Sequence, residues 1–320
     1  MSDSDRSVGE YSLTKKNMAS TQEFRRRIKS VNNTKQITKA MQMIASIKMQ
    51  KSVKAAQTAR AYIQNAWNML TRLAHLTLPE NHPLIYKREI KKTAIILVTS
   101  DRGLCGSYNS EILKKFVQFE KELCSCNGKA CKEYVGNCDV IAIGRKGAEF
   151  VKRYKTGKLI AEFPGFESNL AIEEIIPISK MTIGEYLSGN YDQVILIYSH
   201  FVSSLKQIPV TRQLLPIVNE HTDRPELWEK TEAKETEFKF EPSADEVMDG
   251  ILRQVLQAQV YGAILEANAS MYSAQMVAMQ SATDNAEDLV DELKLLYNSV
   301  RQDSITREIA EISGAADAMK

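Results

Sequence analysis

Three constellations in this 320-residue chain carry residue types that can do chemistry. The first is an apolar run, Thr93–Thr99, then the turn Ser100-Asp101-Arg102-Gly103-Leu104-Cys105-Gly106, then a helical pattern from Ile112 to Leu123. A strand, a glycine turn and a helix start, in that order, is where an α/β enzyme holds phosphate. Unpaired amides and the helix dipole face the anion there. This turn lacks the Gly-Lys-Ser/Thr ending of a phosphate loop, and its glycines do not make G-x-G-x-x-G. Gly144-x-x-Gly147 is a weaker version of the same pattern. The plain alternative is that these glycines only turn a strand into a helix.

The second constellation is Cys124, Cys126, Cys131 and Cys138, beside Gly128 and Gly136. A structural metal, a redox-sensitive pair and an ordinary loop with spare thiols are the three readings. The spacing is not the paired C-x2-C of common zinc sites. With Cys105 the count is five, an odd number that does not read as a secreted disulfide framework. The third is the set His75, His82, His200 and His221. None stands at a catalytic or metal-ligand spacing from a Ser, a Cys or another His, so no nucleophile–base set is visible. The residues therefore predict no catalytic site, no cofactor and no metal.

Charge says more than chemistry. Between Glu23 and Glu80 there is no acidic residue, while eleven Lys and Arg occur there. The stretch also lacks Pro and Gly until Pro79, so nothing in it forces a helix to stop. Residues 284–317 reverse the sign, with nine acids against three bases. A net charge of +2 thus conceals a basic N-terminal helix and an acidic C-terminal one. A basic helix can bind nucleic acid, but the arm offers only Phe24, Tyr62 and Trp67 for base stacking. An acidic protein surface suits it better. No apolar run is long enough to span a bilayer.

All eight prolines lie between Pro79 and Pro242, which divides the chain into helix, middle and helix. The expected parts are a disordered extension at 1–17, an N-terminal coiled-coil arm at 18–78, an α/β domain at 79–242 and a C-terminal coiled-coil arm at 243–320. Ala56, Ala59, Ile63, Ala66, Leu70 and Leu73 step like a coiled-coil seam, as do Leu289, Leu293, Leu296 and Val300. Ser243 and Glu246 form a capping-box pattern that opens the second arm. The arms are expected to pair antiparallel, the longer C-terminal one overshooting. In the middle, three near-continuous apolar strands at 93–99, 139–143 and 193–198 alternate with helices, which predicts a Rossmann-like parallel sheet. The polar stretch 219–240 reads as a loop or edge hairpin.

At this point the residues resemble a known family. Gln22-Glu23-Phe24-Arg25-Arg26-Arg27-Ile28-Lys29-Ser30-Val31 and Thr34 through Ala45 are similar to the opening of the γ subunits of F-type ATP synthases. Ser100 through Gly106 resembles that family's central motif. Ala278 through Ala286 and Tyr297 through Ile312 resemble its C-terminal signature. The likeness covers about residues 18–316; the extension and the Cys-rich insertion near 124–138 depart from it. Chloroplast-type members carry a redox cysteine pair later in the chain, so the family does not lend this cluster a redox role.

The resemblance implies a central rotor shaft that couples ion flow through a membrane c-ring to ATP synthesis or hydrolysis in a head of α and β subunits. It implies the α, β and ε subunits and the c-ring as partners, no nucleic acid, and no catalysis by this chain alone. It implies a peripheral place on the cytoplasmic face of a bacterial inner membrane. It also implies partner contacts: Met41 beside the lever of a β subunit, and Arg253, Gln302, Thr306 and Glu308 between shaft and head. A basic arm facing acidic levers gives long-range attraction without one locked fit.

Overall fold

The computed structural model describes residues 21–76, 82–86, 88–126, 138–166, 170–217 and 244–318. The extension at 1–17, Cys131, His221, Ser243 and the stretch 219–240 lie outside them. The first element is α1, Thr21–Leu76, 56 residues without a break. The absence of Pro and Gly anticipates its length. A sheet follows in chain order: β1 (Thr93–Val98), α2 (Tyr108–Cys126), β2 (Cys138–Ile143), α3 (Arg145–Tyr154) and β3 (Lys158–Phe163). Then come a 3-10 turn at Ile172–Glu174, α4 (Ile176–Leu187), β4 (Gln193–Phe201), β5 (Gln207–Leu215) and α5, Ala244–Ala318, 75 residues.

The strand order is β3-β2-β1-β4-β5. β1 pairs in parallel with β2 and β4, and β2 in parallel with β3. β5 pairs antiparallel with β4. Three of these strands were expected from the sequence; β3 and β5 were not, and β5 makes the sheet mixed rather than wholly parallel. The reason is burial. β1 and β2 are buried at every position, which a parallel strand covered on both faces requires. β3 alternates exposed and half-buried residues, and β5 is mostly half-buried, so neither shows a continuous apolar run. Helix α2 also begins earlier than its apolar pattern, at Tyr108 rather than Ile112.

The chain forms two compact units, one of residues up to Met43 with those from Ala278, the other Ile44–Val277. In the second unit the helices are not a free rod. Ala56, Ala59, Trp67 and Leu70 of α1 share one core with Ala94, Ile96 and Val98 of β1 and with Leu252, Val255, Leu256 and Ala263 of α5. The small seam residues of α1 thus serve a helix-on-sheet core as well as a helix pair. Gly262 shows how close the pair comes there: a Cβ on it would lie 2.5 Å from Ile63 Cδ1. A second core lies on the other sheet face, where Ile112 and Phe116 of α2 pack on Ile95, Leu97 and Val140.

In the first unit the helices run antiparallel: Arg25 Nε donates to the Tyr297 hydroxyl at 2.9 Å, and Thr283 Oγ1 donates to Thr38 Oγ1 at 2.8 Å. Gln42 Nε2 donates to Gln280 Oε1, and Lys35 Nζ pairs with Glu287 at 2.7 Å. Along α1 here Phe24 is buried and Ile28, Val31, Lys35, Thr38 and Gln42 are half-buried, a 4-3 repeat, with Asn32 and Met41 half-buried beside it. On α5 they are Met279, Thr283, Ala286, Val290 and Leu293. The seam read from the sequence was misplaced: Leu289 and Leu296 are 44% and 45% exposed, and Leu293 alone of the four is buried. The real seam carries Thr, Lys and Gln, which an apolar search passes over.

Candidate functional site

The crevice at the carboxyl ends of β1 and β2, beside the start of α3, is where a helix start could hold an anion. Here the chain fills it with its own side chains. Asp101 Oδ1 accepts from Arg145 N and from Gly165 N, both at 2.9 Å. Gly147 N donates to Thr99 Oγ1 at 2.8 Å, and Lys146 N donates to the Ser100 carbonyl at 3.1 Å. The first amides of α3, which would cradle a phosphate, are therefore all engaged by the turn after β1. Asp101 supplies the negative charge that a helix start favours. Gly144 lets the two turns close on each other: its φ is +93°, and a Cβ there would lie 2.2 Å from the Thr99 carbonyl oxygen. The turn between β1 and α2 is bonded in the same way. Ser100 N donates to Asn109 Oδ1 at 3.1 Å, and Asn109 Nδ2 donates to Cys105 Sγ at 3.2 Å.

Several titratable groups have partners inside the fold. Tyr108 donates its hydroxyl proton to the Ala267 carbonyl at 3.2 Å, and burial, with a lesser push from Cys105, drives its pKa up. Tyr191 donates to the buried Asp139 at 2.8 Å, and Lys92 Nζ lies 2.9 Å from the same carboxylate oxygen. Burial first, then Asp139, pushes the Tyr191 phenol up. His200 Nδ1 lies 2.7 Å from Glu266 Oε2, and His82 Nε2 lies 3.6 Å from Asp249 Oδ1. Among the described residues no group of three or more His, Cys, Asp or Glu could hold a metal ion. Cys105 and Cys138 are buried. No helix among these residues is long and apolar enough to cross a membrane.

The partner-contact residues fall in different settings. Met41 is half-buried in the helix pair of the first unit. Gln302, Thr306 and Glu308 stand exposed on α5 in the same unit, and Ser304 Oγ donates to Glu308 at 3.3 Å. From Ile305 to Asp317 every residue is exposed, including Ile309 at 61% and Ile312 at 70%. Arg253 belongs to the second unit, half-buried, with its Nε 2.8 Å from Asp249 on its own helix. Arg25, Arg26, Arg27, Lys29 and Lys39 of α1 are exposed. Two residues escaped the sequence reading. Asp101 was seen only as part of a turn, although an acid at the end of an apolar strand signals an internal partner for amides. Glu266 was passed over, although it is the only acid between Asp249 and Asp284.

Comparison with known proteins agrees with this arrangement. The profile of the family described as ATP synthase matches residues 20–319. The "ATP synthase gamma chain" of Desulfitobacterium hafniense is 38% identical, over 95% of this chain and 100% of that one. The protein of the same name from Legionella pneumophila is 34% identical, over 94% of this chain and 100% of that one. Among solved structures, a chain of the Euglena gracilis mitochondrial ATP synthase F1/c-ring assembly aligns with a TM-score of 0.61 at 16% identity, over 93% of this chain and 94% of that one. A chain of the central stalk/c-ring of the Tetrahymena thermophila mitochondrial enzyme aligns with a TM-score of 0.55 at 23% identity, over 77% and 99%. At these identities the two structures speak for the fold. With the profile match and the curated relatives beside them, the chain belongs to the ATP synthase gamma chain family.

Proposed function

We propose that the chain is the central rotor shaft of an F-type ATP synthase and does no chemistry itself. It couples ion flow through a membrane c-ring to ATP turnover in a head of α and β subunits, with the ε subunit at its foot. The observation that carries this is the end of α5. The helix runs unbroken to Ala318 while Ile305, Ile309 and Ile312, spaced on one face, stay exposed. A tip of this kind needs a surrounding sleeve rather than a partner helix. The internally bonded crevice supports the absence of catalysis: its amide donors already have acceptors.

In this reading Met41 faces the acidic lever of a β subunit, on the helix that carries the exposed bases. Gln302, Thr306 and Glu308 meet the head, and Arg253 acts from the second unit. The complex sits on the cytoplasmic face of a bacterial inner membrane. The test is co-expression with α and β subunits. A complex that hydrolyses ATP is expected, while the isolated chain binds no nucleotide at micromolar concentration by calorimetry. Failure to assemble defeats the reading. In the assembled complex, Met41→Lys should impair ATP-driven ion pumping in vesicles more than hydrolysis, because it adds a cation opposite the lever. Equal loss of both would remove Met41 from the contact.

A further inference from the structure

The second unit joins α5 to the sheet through a row of directed polar bonds. The nine residues from Gly262 to Ser270 are all buried, so this stretch of α5 is enclosed on every side. Within and just after it stand Glu266, Ser270 and Ser273, all buried. Glu266 Oε1 accepts from Arg60 Nη2 of α1 at 3.1 Å, and Oε2 lies 2.7 Å from His200 Nδ1 of β4. A carboxylate oxygen accepts, so the ring nitrogen donates. Ser270 Oγ donates to the Ser199 carbonyl of β4 at 3.0 Å. Ser273 Oγ donates to the Ser204 carbonyl at 2.6 Å and accepts from Gln207 Nε2 of β5 at 3.2 Å. Glu266 is the only one of the three that ties both α1 and β4 to α5, and its side chain is 10% exposed.

Apolar packing resists separation but has no preferred direction, so packed surfaces can slide or turn against each other. Hydrogen bonds fail steeply when misaligned. A junction that must carry twist therefore depends on its directed bonds. We propose that Glu266 is a positioning residue that clamps β4 and α1 to α5 against twist, so that torque passes between the sheet and the helices without slip. The proposal rests on the shaft reading and goes beyond it by naming where this unit is stiffened. The buried charge is also costly to keep unless it is fully bonded. An apolar residue at this position would be adequate for a purely structural core.

The experiment uses the assembled complex with the α and β head fixed to a surface. A rod attached through Lys158→Cys, an exposed position on β3, reports torsional fluctuation. Glu266→Ala and Arg60→Met are each expected to lower torsional stiffness about twofold or more, since each removes a directed bond. Glu266→Gln keeps the shape and an acceptor and should retain most of the stiffness. ATP hydrolysis should stay near the parent rate in all three. Wild-type stiffness in Glu266→Ala overturns the clamp. So does a residue with only a structural role, for which the urea midpoint falls while the assembled shaft keeps its stiffness. If Glu266→Ala does not assemble, Arg60→Met decides, its side chain being 43% exposed. Wild-type stiffness there overturns the clamp equally. A parent chain that fails to assemble with the head defeats the shaft reading, whereas an assembled shaft indifferent to these substitutions defeats the clamp alone.

Discussion

Helix α5 lives in two environments. From Gly262 to Ser270 every residue is buried, and from Ile305 to Asp317 every residue is exposed. The backbone is the same in both. What differs is where each stretch finds its stability. The buried stretch is held by side chains around it, so its sequence can mix Ile264 and Leu265 with Glu266 and Asn268 as long as each polar group is bonded. The exposed stretch has no such support among the described residues and relies on helix propensity. Propensity alone is marginal for an isolated helix in water. The contrast teaches that helical continuity is not evidence of equal stability along a helix.

The largest expected effect compares truncations of two apolar side chains. Leu265→Ala should cost about 2–5 kcal/mol, because Leu265 is fully buried and its removal leaves a cavity. Ile309→Ala should change stability by less than about 0.5 kcal/mol. Urea unfolding of the purified chain measures both, and equal costs would break the comparison.

Two glycines sharpen it with opposite signs. Gly262→Ala brings a Cβ against Ile63 Cδ1, and the crowding should outweigh the propensity gain, for a net loss of about 1 kcal/mol. Gly314 has nothing within 4 Å of such a Cβ. Gly314→Ala should therefore raise helicity by circular dichroism and stabilise that stretch by about 0.5–1 kcal/mol. A loss at both positions would mean that the tip is packed after all.

Tyr108 tests the buried stretch through pH. Its bond to the Ala267 carbonyl contributes about 1 kcal/mol, which Tyr108→Phe removes. Burial raises its pKa in the folded chain, so the unfolded chain ionises first. That contribution is intact below about pH 10 and is lost as pH rises beyond it. The parent should lose stability on the alkaline side more steeply than Tyr108→Phe. Identical alkaline limbs would contradict a buried phenol. The smallest effect is a truncation after Ile312, which should leave the unfolding midpoint unchanged to within about 0.5 kcal/mol. A larger shift would show that the exposed residues are held within the chain.

Much of the architecture was legible in residue types. Helix α1 was announced by an absence, since no Pro or Gly interrupts it, and α5 by the lack of Pro alone. β1, β2 and β4 were legible as unbroken apolar runs, and these are the strands at the centre of the sheet. β3 and β5 were not, because edge strands are wetted and their residues need not be apolar. The seam of the first unit was misread for a related reason. Leu289 and Leu296 drew attention by type, while Lys35, Thr38 and Gln42 do the pairing through hydrogen bonds and an ion pair. Of the candidate site, the lack of a phosphate loop was legible. The role of Asp101 was not, because its partners Arg145 and Gly165 lie far along the chain.

The last turn of α5 contains no basic residue. Its carbonyls carry the negative end of the helix macrodipole, about half an elementary charge. Glu311 and Asp317 add to that charge. The tip is thus a negative pole at the end of an already acidic stretch of helix. Bulk salt screens such a field within about 8–10 Å. Any collar that steadies the tip gains by presenting cations to it, and raising the ionic strength should fray the last turn less in the isolated chain.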